Sequence, residues 1–445
     1  CVESVGTPPK NRRQTESMMG KAQKKATVIA PPPKPRSVVA RAFNAVRYEL
    51  PLFVFLLILF VPQKSDASDD VYTALHAFDY SVGFAPRLFV GSLMSLFAEY
   101  KSLAFINGFM DVVSAITLVL FTVLAGRLIR KADEQAKTGT TMAVCVFLVG
   151  PYTIAAQYPR MTSVDRVVIV FTVLALVLIA VDRTWPKWFV PALLALALAT
   201  YHGFAFMYMP AVAIVLLYSA WTKGSTKQAK ALCLVGFVTM AAFSAYFFLY
   251  PGLSGYTVPE ALVAEHATNT DIFTRGDLSN NKSGIWLATI RELLLKDPVS
   301  LWQTGTKPFV DIPAAFRAEI FALIPMLPLL ALLGYFWITA MKKSVTRAEK
   351  FTYLLCLLAP LARTPMMIMS SNYMRGRIAV YSVQFLLMFY FMYVGAPGAK
   401  TALVTLEEAA KKRMFLFLLF IGYLAVPFLS IKTGPWWQVI MEFFK

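Results

Sequence analysis

Two adjacent carboxylates, one histidine and a set of arginines are the residues of this chain whose types and spacing point to chemistry. Asp69 and Asp70 follow the first apolar run. A carboxylate there acts as a general base toward a hydroxyl or holds a divalent cation against a diphosphate, and the same pair also suits a solvated acidic turn. Arg160 and Arg166 bracket a short polar segment between two apolar runs, where a guanidinium grips phosphate oxygens bidentately or simply snorkels to an interface. His202, in Tyr201-His202-Gly203-Phe204, titrates near neutrality and is able to exchange a proton, although a histidine between apolar runs also serves as hydrogen-bonded packing.

Arg363 falls inside an apolar run, and its burial without a partner costs at least about 2.5 kcal/mol. Asp111 is the obvious partner for a structural pair; the rival reading is an arginine facing a water-filled cavity and an anionic ligand. With Arg375 and Arg377 it makes three arginines near one boundary, more than anchoring needs. No glycine-rich phosphate loop, metal-spaced His/Cys set or serine nucleophile elbow accompanies them, so no resident metal or cofactor is expected beyond a possible cation at Asp69 and Asp70. Cys1, Cys145, Cys233 and Cys356 stand singly and read as small apolar packers.

The elements that must position these residues are written in the composition. The chain is 58% hydrophobic and 15% charged, with mean hydropathy +0.59, which places most of it in lipid. Apolar runs recur at 49–63, 103–126, 139–157, 167–181, 187–201, 204–221, 229–250, 318–341, 351–371, 376–395 and 414–431. The expected fold is all-α, a polytopic transmembrane bundle of about eleven spans. The pair at 187–221 is the weakest assignment, with a re-entrant hairpin as the alternative.

The net charge of +18 first suggests nucleic acid, but its distribution argues otherwise. An arrangement with the N-terminus inside and the C-terminus outside puts 27 Lys/Arg and 9 Asp/Glu in the cytoplasmic segments, 15 and 15 in the outer ones, and leaves Asp111 and Arg363 within spans. The whole excess then sits on the cytoplasmic face, as the positive-inside bias and attraction to anionic lipid require, and no nucleic-acid partner is needed. Residues 1–46, with Pro31-Pro32-Pro33-Lys34-Pro35-Arg36, read as a disordered basic cytoplasmic tail before a membrane domain at 47–445. Nothing there has the order of a cleavable signal, so the first helix reads as an uncleaved anchor.

Polar side chains concentrate on the outer face. The first outer loop carries Arg87 and, from Pro86, a stretch that reads as a short amphipathic helix at the interface. The dominant outer loop, 251–317, carries Arg275 and Arg291 and has a helical apolar period from Ser283 to Leu295, so part of it is expected to fold over the membrane as a lid.

Three stretches carry a resemblance: Asp79-Tyr-Ser-Val-Gly83-Phe84-Ala-Pro86-Arg87, His202-Gly203-Phe204 before Pro210, and Asn372-Tyr-Met-Arg375-Gly376-Arg377. With the layout from about 48 to 431, the chain resembles the multi-helix proteins of bacterial surface-polysaccharide loci, broadly the Wzy-type O-antigen and capsule polymerases and related membrane glycosyltransferases. The resemblance implies a multi-pass protein of the bacterial cytoplasmic membrane that transfers glycan from an undecaprenyl diphosphate carrier, alongside other polysaccharide-assembly proteins. It implies that Arg275, Arg291, Arg375 or Arg377 holds the diphosphate leaving group. One dominant outer loop instead of two comparable ones departs from that pattern, and Asp69-Asp70 is closer to the acceptor-activating acids of GT-C glycosyltransferases.

The expected function is therefore glycosyl transfer from a polyprenyl-diphosphate-linked glycan on the outer face, with Asp69, Asp70 and His202 as catalytic candidates. Arg87, Arg160, Arg166, Arg275, Arg291, Arg363, Arg375 and Arg377 are the candidates for binding its phosphates. The alternative is a transporter or flippase of a lipid-linked or anionic substrate using Asp111, Arg363 and His202 as a relay.

Overall fold

A chain this apolar satisfies its backbone inside each segment, and it does so with helices. The computed structural model describes residues 46–60, 75–85, 87–150, 164–222, 226–254, 265–266, 268, 270, 326–365 and 373–430, and among them there is no strand. Tyr48–Lys445 forms one compact unit, separate from Cys1–Arg47. The expected tail at 1–46 and nearly all of the loop at 251–317, including Ser283 to Leu295, lie outside the described residues.

The helices are α1 Glu49–Phe60, α2 Phe89–Ser95, α3 Leu103–Lys131, α4 Lys137–Val149, α5 Asp165–Ala180, α6 Val190–Thr200 and α7 Phe204–Met207. After them come α8 Met209–Trp221, α9 Lys227–Ser254, α10 Leu327–Lys343, α11 Arg347–Leu358, α12 Tyr373–Tyr393, α13 Pro397–Lys412 and α14 Met414–Ser430. Every apolar run of the sequence carries a helix in its described part. Among the described residues two helices are by length and apolarity able to cross a membrane, α3 and Lys227–Leu249 within α9, or three if α12 and α13 count as one broken span.

Local chemistry sets the boundaries. Ser102 caps α3 by accepting from the Phe105 N–H at 3.1 Å, and Arg130 and Lys131 in its last turn complement the negative end of the dipole. Inside α3, Ser114, Thr117 and Thr122 each donate to the carbonyl four residues back at 2.7 Å, so no hydroxyl is left bare in an apolar helix. Gly395, at φ +75°, closes α12 in a left-handed C-terminal turn, and Pro397 starts α13, which leaves at 110°.

Contacts at the helix ends fix their directions. Asp165 at the start of α5, Arg375 in the first turn of α12 and Tyr201 at the end of α6 meet at one end of the bundle. At the opposite end Arg130 pairs with Glu49 of α1, with Nη1 to Oε2 at 2.7 Å, and Lys131 lies 3.9 Å from the Tyr393 ring centre of α12. There too α13 is held by Glu407, which accepts from the Gly139 N–H at 2.8 Å, and by Lys400 on Asp133 at 2.9 Å. Helices α3 and α12 therefore run the same way, and α6 runs against α5.

One sequence reading changes. The run 351–371 is not one helix in its described part: α11 ends at Leu358 and a 3-10 turn, Ala359–Arg363, opens with Pro360 near its start. Arg363 therefore sits at the end of that 3-10 turn. The short helix expected after Pro86 is α2, which packs on α6 with Val90 and Met94 buried and leaves Leu96 and Phe97 exposed just beyond its end.

Candidate functional site

The Asp165 end of the bundle collects most of the described arginines that the sequence singles out. Arg375 is buried and lies flat against Asp165, with Nε to Oδ2 at 2.6 Å and Nη2 to Oδ1 at 2.7 Å. Both side chains are 8% exposed, so the pair is desolvated and geometrically ideal. Tyr201 supplies an aromatic face to two cations at once: the Arg375 Cζ is 4.5 Å from its ring centre and the Arg87 Cζ is 5.3 Å.

Arg87 is the unusual member. Its φ of +76° is the only positive value among the described non-glycine residues, and its backbone N–H is tied to the Ala199 carbonyl at 3.0 Å. An arginine held in the left-handed region costs on the order of 1–3 kcal/mol and persists only where surroundings over-determine it. The guanidinium Nε and Nη1 are buried and have no hydrogen-bond partner among the described residues. Buried donors left in that state lose about 1–3 kcal/mol each, more when charged.

His202 adjoins them, with its ring 5.4 Å from Tyr201 and edge-on to Phe248 at 5.2 Å. Its Nδ1 is buried without a hydrogen-bond partner among the described residues. Burial first, then the Arg87 and Arg375 guanidinium groups, hold its imidazole well below the usual value, so it is neutral at pH 7.

Arg166, also buried, donates to Ser114 of α3. Arg363 is buried with its guanidinium across Gly376, where an added Cβ would stand 2.6 Å from the Arg363 Cζ. The glycine between Arg375 and Arg377 thus lets the 3-10 turn close onto α12. Arg377 is half-buried one position further on α12, and Asp111 is half-buried on α3.

No protein-family model, curated protein or solved structure matches this chain. Its geometry is the ground for any functional reading.

Of the sequence candidates, the structure brings Arg87, His202 and Arg375 together around Tyr201 and places Arg166 and Arg363 on the helix ends beside them. Asp69, Asp70, Arg160, Arg275 and Arg291 lie outside the described residues. Among the described residues no three His, Cys, Asp or Glu side chains converge as metal ligands do. Sequence reasoning missed Asp165 as the partner of Arg375 and Tyr201 as the shared ring.

It also missed a second polar cluster. Asp79 accepts from the Ser81 N–H at 3.0 Å, from Ser95 Oγ at 2.6 Å and from Lys101 Nζ at 2.9 Å, and Lys101 also donates to the Ala77 carbonyl at 3.0 Å. The large-loop residue His266 joins through Nε2, 2.7 Å from Ser81 Oγ and 3.5 Å from Asp79 Oδ1, and Thr270 donates to the Lys101 carbonyl at 2.7 Å. Serine and carboxylate meet the same imidazole nitrogen, so this is a staple between loops and not a nucleophile relay. Desolvation pulls the Asp79 carboxyl up, but donation from Ser81, Ser95 and Lys101 outweighs it and holds the group well below the usual carboxylate range.

Proposed function

We propose that this chain is a polytopic protein of the bacterial cytoplasmic membrane that transfers glycan from a polyprenyl diphosphate carrier at the outer face, in surface-polysaccharide synthesis. About eleven spans, with the N-terminus inside and the C-terminus outside, put the Asp165 end of the bundle outside and the Arg130 end in the cytoplasm. Large apolar side chains exposed along α3, α9 and α14, among them Val112, Ile116, Leu234, Val238, Phe415 and Leu418, support a lipid surround.

The observation that carries the reading is the half-buried Arg87, whose Nε and Nη1 are buried and unmatched among the described residues, beside a neutral His202. Two such donors call for an acceptor with several oxygens, and a diphosphate provides them bidentately. A lipid carrier would present its isoprenoid tail to the bilayer, its phosphates to Arg87 and its sugar to the outer loops.

Transfer then follows from charge. The acceptor hydroxyl oxygen bonds the anomeric carbon, the anomeric C–O bond breaks, its electron pair leaves on the diphosphate, and the hydroxyl proton passes to a base. Arg87 stabilises charge developing on the leaving group without reorganising. His202 is a weak base between two guanidiniums, and the arriving diphosphate offsets their field and raises its basicity only when donor is bound. Asp69 and Asp70 remain the carboxylate candidates for that proton or for a cation.

The test is the lipid-linked glycan profile of cells lacking the protein, complemented with wild type, Arg87→Gln, Asp69→Asn, Asp70→Asn or Arg363→Ala. Single repeat units accumulating on the carrier outside, with long polymer restored by wild type and not by Arg87→Gln, support the reading. Intermediates trapped on the cytoplasmic side would make the protein a flippase instead, and full rescue by Arg87→Gln would remove the phosphate site.

A further inference from the structure

At the other end of the same helices, a cavity of about 140 Å³ lies between α3, α4, α5 and α12. Phe121, Phe147, Leu176, Leu386 and Phe389 are among its apolar walls, and Arg127 stands at its lip. The cavity is not sealed, since Leu124, Val177 and Val181 at its rim are partly exposed. It belongs to the end where Arg130 meets Glu49 and Lys131 covers Tyr393, a ring that also lines it.

Arg127, exposed like Arg130 and Lys131, differs from them in making no ion pair or hydrogen bond among the described residues. Away from Arg127 and the tyrosines its walls are aliphatic and phenyl groups that offer water no hydrogen-bond partner. In a bilayer it opens to hydrocarbon chains. A chain that enters brings its headgroup to the lip, where an unengaged guanidinium fits a phosphate bidentately.

We infer that this cavity holds an acyl chain of an anionic glycerophospholipid of the cytoplasmic leaflet, with the headgroup phosphate on Arg127. Free phosphate would satisfy Arg127 and leave the apolar walls empty, whereas a lipid without net charge would fill the walls and leave Arg127 unneutralised. The cytoplasmic leaflet is the anionic one, and basic pockets between helices on that side select acidic headgroups. The site rests on the membrane orientation proposed above and not on any chemistry at the outer face.

The experiment places the full-length protein in lipid nanodiscs containing phosphatidylglycerol with a diazirine on one acyl chain, or phosphatidylcholine with the same chain. Irradiation and peptide mass spectrometry then map the labelled residues. Phosphatidylglycerol should label 121–128 and 386–393 several-fold more than phosphatidylcholine, and Arg127→Gln should bring the two lipids level. Filling the cavity with Leu176→Trp should remove label from both segments while label on α14 persists; Ala180→Phe, at the partly exposed rim, does the same service where Leu176→Trp does not fold. Equal labelling by both lipids, labelling spread evenly over α9 and α14, or an unchanged preference in Arg127→Gln overturns the proposal.

Discussion

Arg375 and Asp165, 210 residues apart, meet in a fork-on-fork pair that joins the first turns of α12 and α5. Each removes the charge the other would otherwise bury, so the pair makes the site end of the bundle tolerable without itself being a large source of stability. Arg375→Gln strands the Asp165 carboxylate and should cost about 3–5 kcal/mol, and Asp165→Asn should cost a comparable amount. The double variant Asp165→Asn/Arg375→Gln, which leaves neither charge, should be more stable than either single. Thermal unfolding in detergent measures this, and additive losses would mean the two side chains do not act as a pair.

Arg363 and Gly376 form a second coupled pair. A methyl group at 376 collides with the Arg363 guanidinium, so Gly376→Ala forces the buried side chain off its place. Truncating Arg363 to alanine removes the obstacle. A double-mutant cycle should therefore give a coupling on the order of 1 kcal/mol or more, with Gly376→Ala better tolerated in the Arg363→Ala background. A coupling near zero would show that the turn at 359–363 yields freely.

These contacts mark where sequence reading runs out. Helix positions were legible because apolar runs need internal hydrogen bonds, and segments such as 103–126 and 229–250 carry that signal in composition alone. The contact of Asp165 with Arg375 was not, since which helices neighbour one another depends on packing over the whole chain. The run 351–371 looked like one helix because Pro360, near the start of the 3-10 turn, stands in an otherwise apolar run. The segment at 397–412 falls between the apolar runs 376–395 and 414–431, although Pro397 at its start and Lys411 and Lys412 at its end are helix signals. No pattern marked Arg87 as left-handed, and no pattern marked Tyr201 as the ring two cations share.

The Asp79 staple sets a pH dependence. A carboxyl whose folded pKa is depressed contributes stability that is fully present above its unfolded value of about 3.9 and is lost as pH falls through the folded value. Between pH 5 and 8 the Asp79 carboxyl should therefore stay ionised. Asp79→Asn should lower the midpoint of thermal unfolding across that range, and its difference from wild type should shrink only in strong acid. Protonation of His266 beside Asp79 can only widen the difference as pH falls from 7 to 5, so a difference that already fades there would assign the effect to another group.

Arg87 separates binding from folding more cleanly than its neighbours. Glycine at 87 relieves a left-handed strain on the order of 1–3 kcal/mol, and against that stand a backbone entropy cost of about 0.5–1 kcal/mol and a lost cation–π contact of similar size. Removing the two unmatched buried donors, at about 1–3 kcal/mol each, tips the balance further toward the variant, so Arg87→Gly should unfold no lower than wild type, whereas Arg375→Gln should unfold lower. Binding should respond in the opposite sense. Each charge-assisted hydrogen bond to a diphosphate is worth about 1.5–3 kcal/mol, so removing Nε and Nη1 should weaken a short polyprenyl diphosphate such as farnesyl diphosphate at least tenfold. Arg87→Lys, which keeps the charge and loses the fork, should fall between. Isothermal titration with the three proteins in the same detergent decides it, and wild-type affinity in Arg87→Gly would mean that the unmatched guanidinium is not where the anion binds.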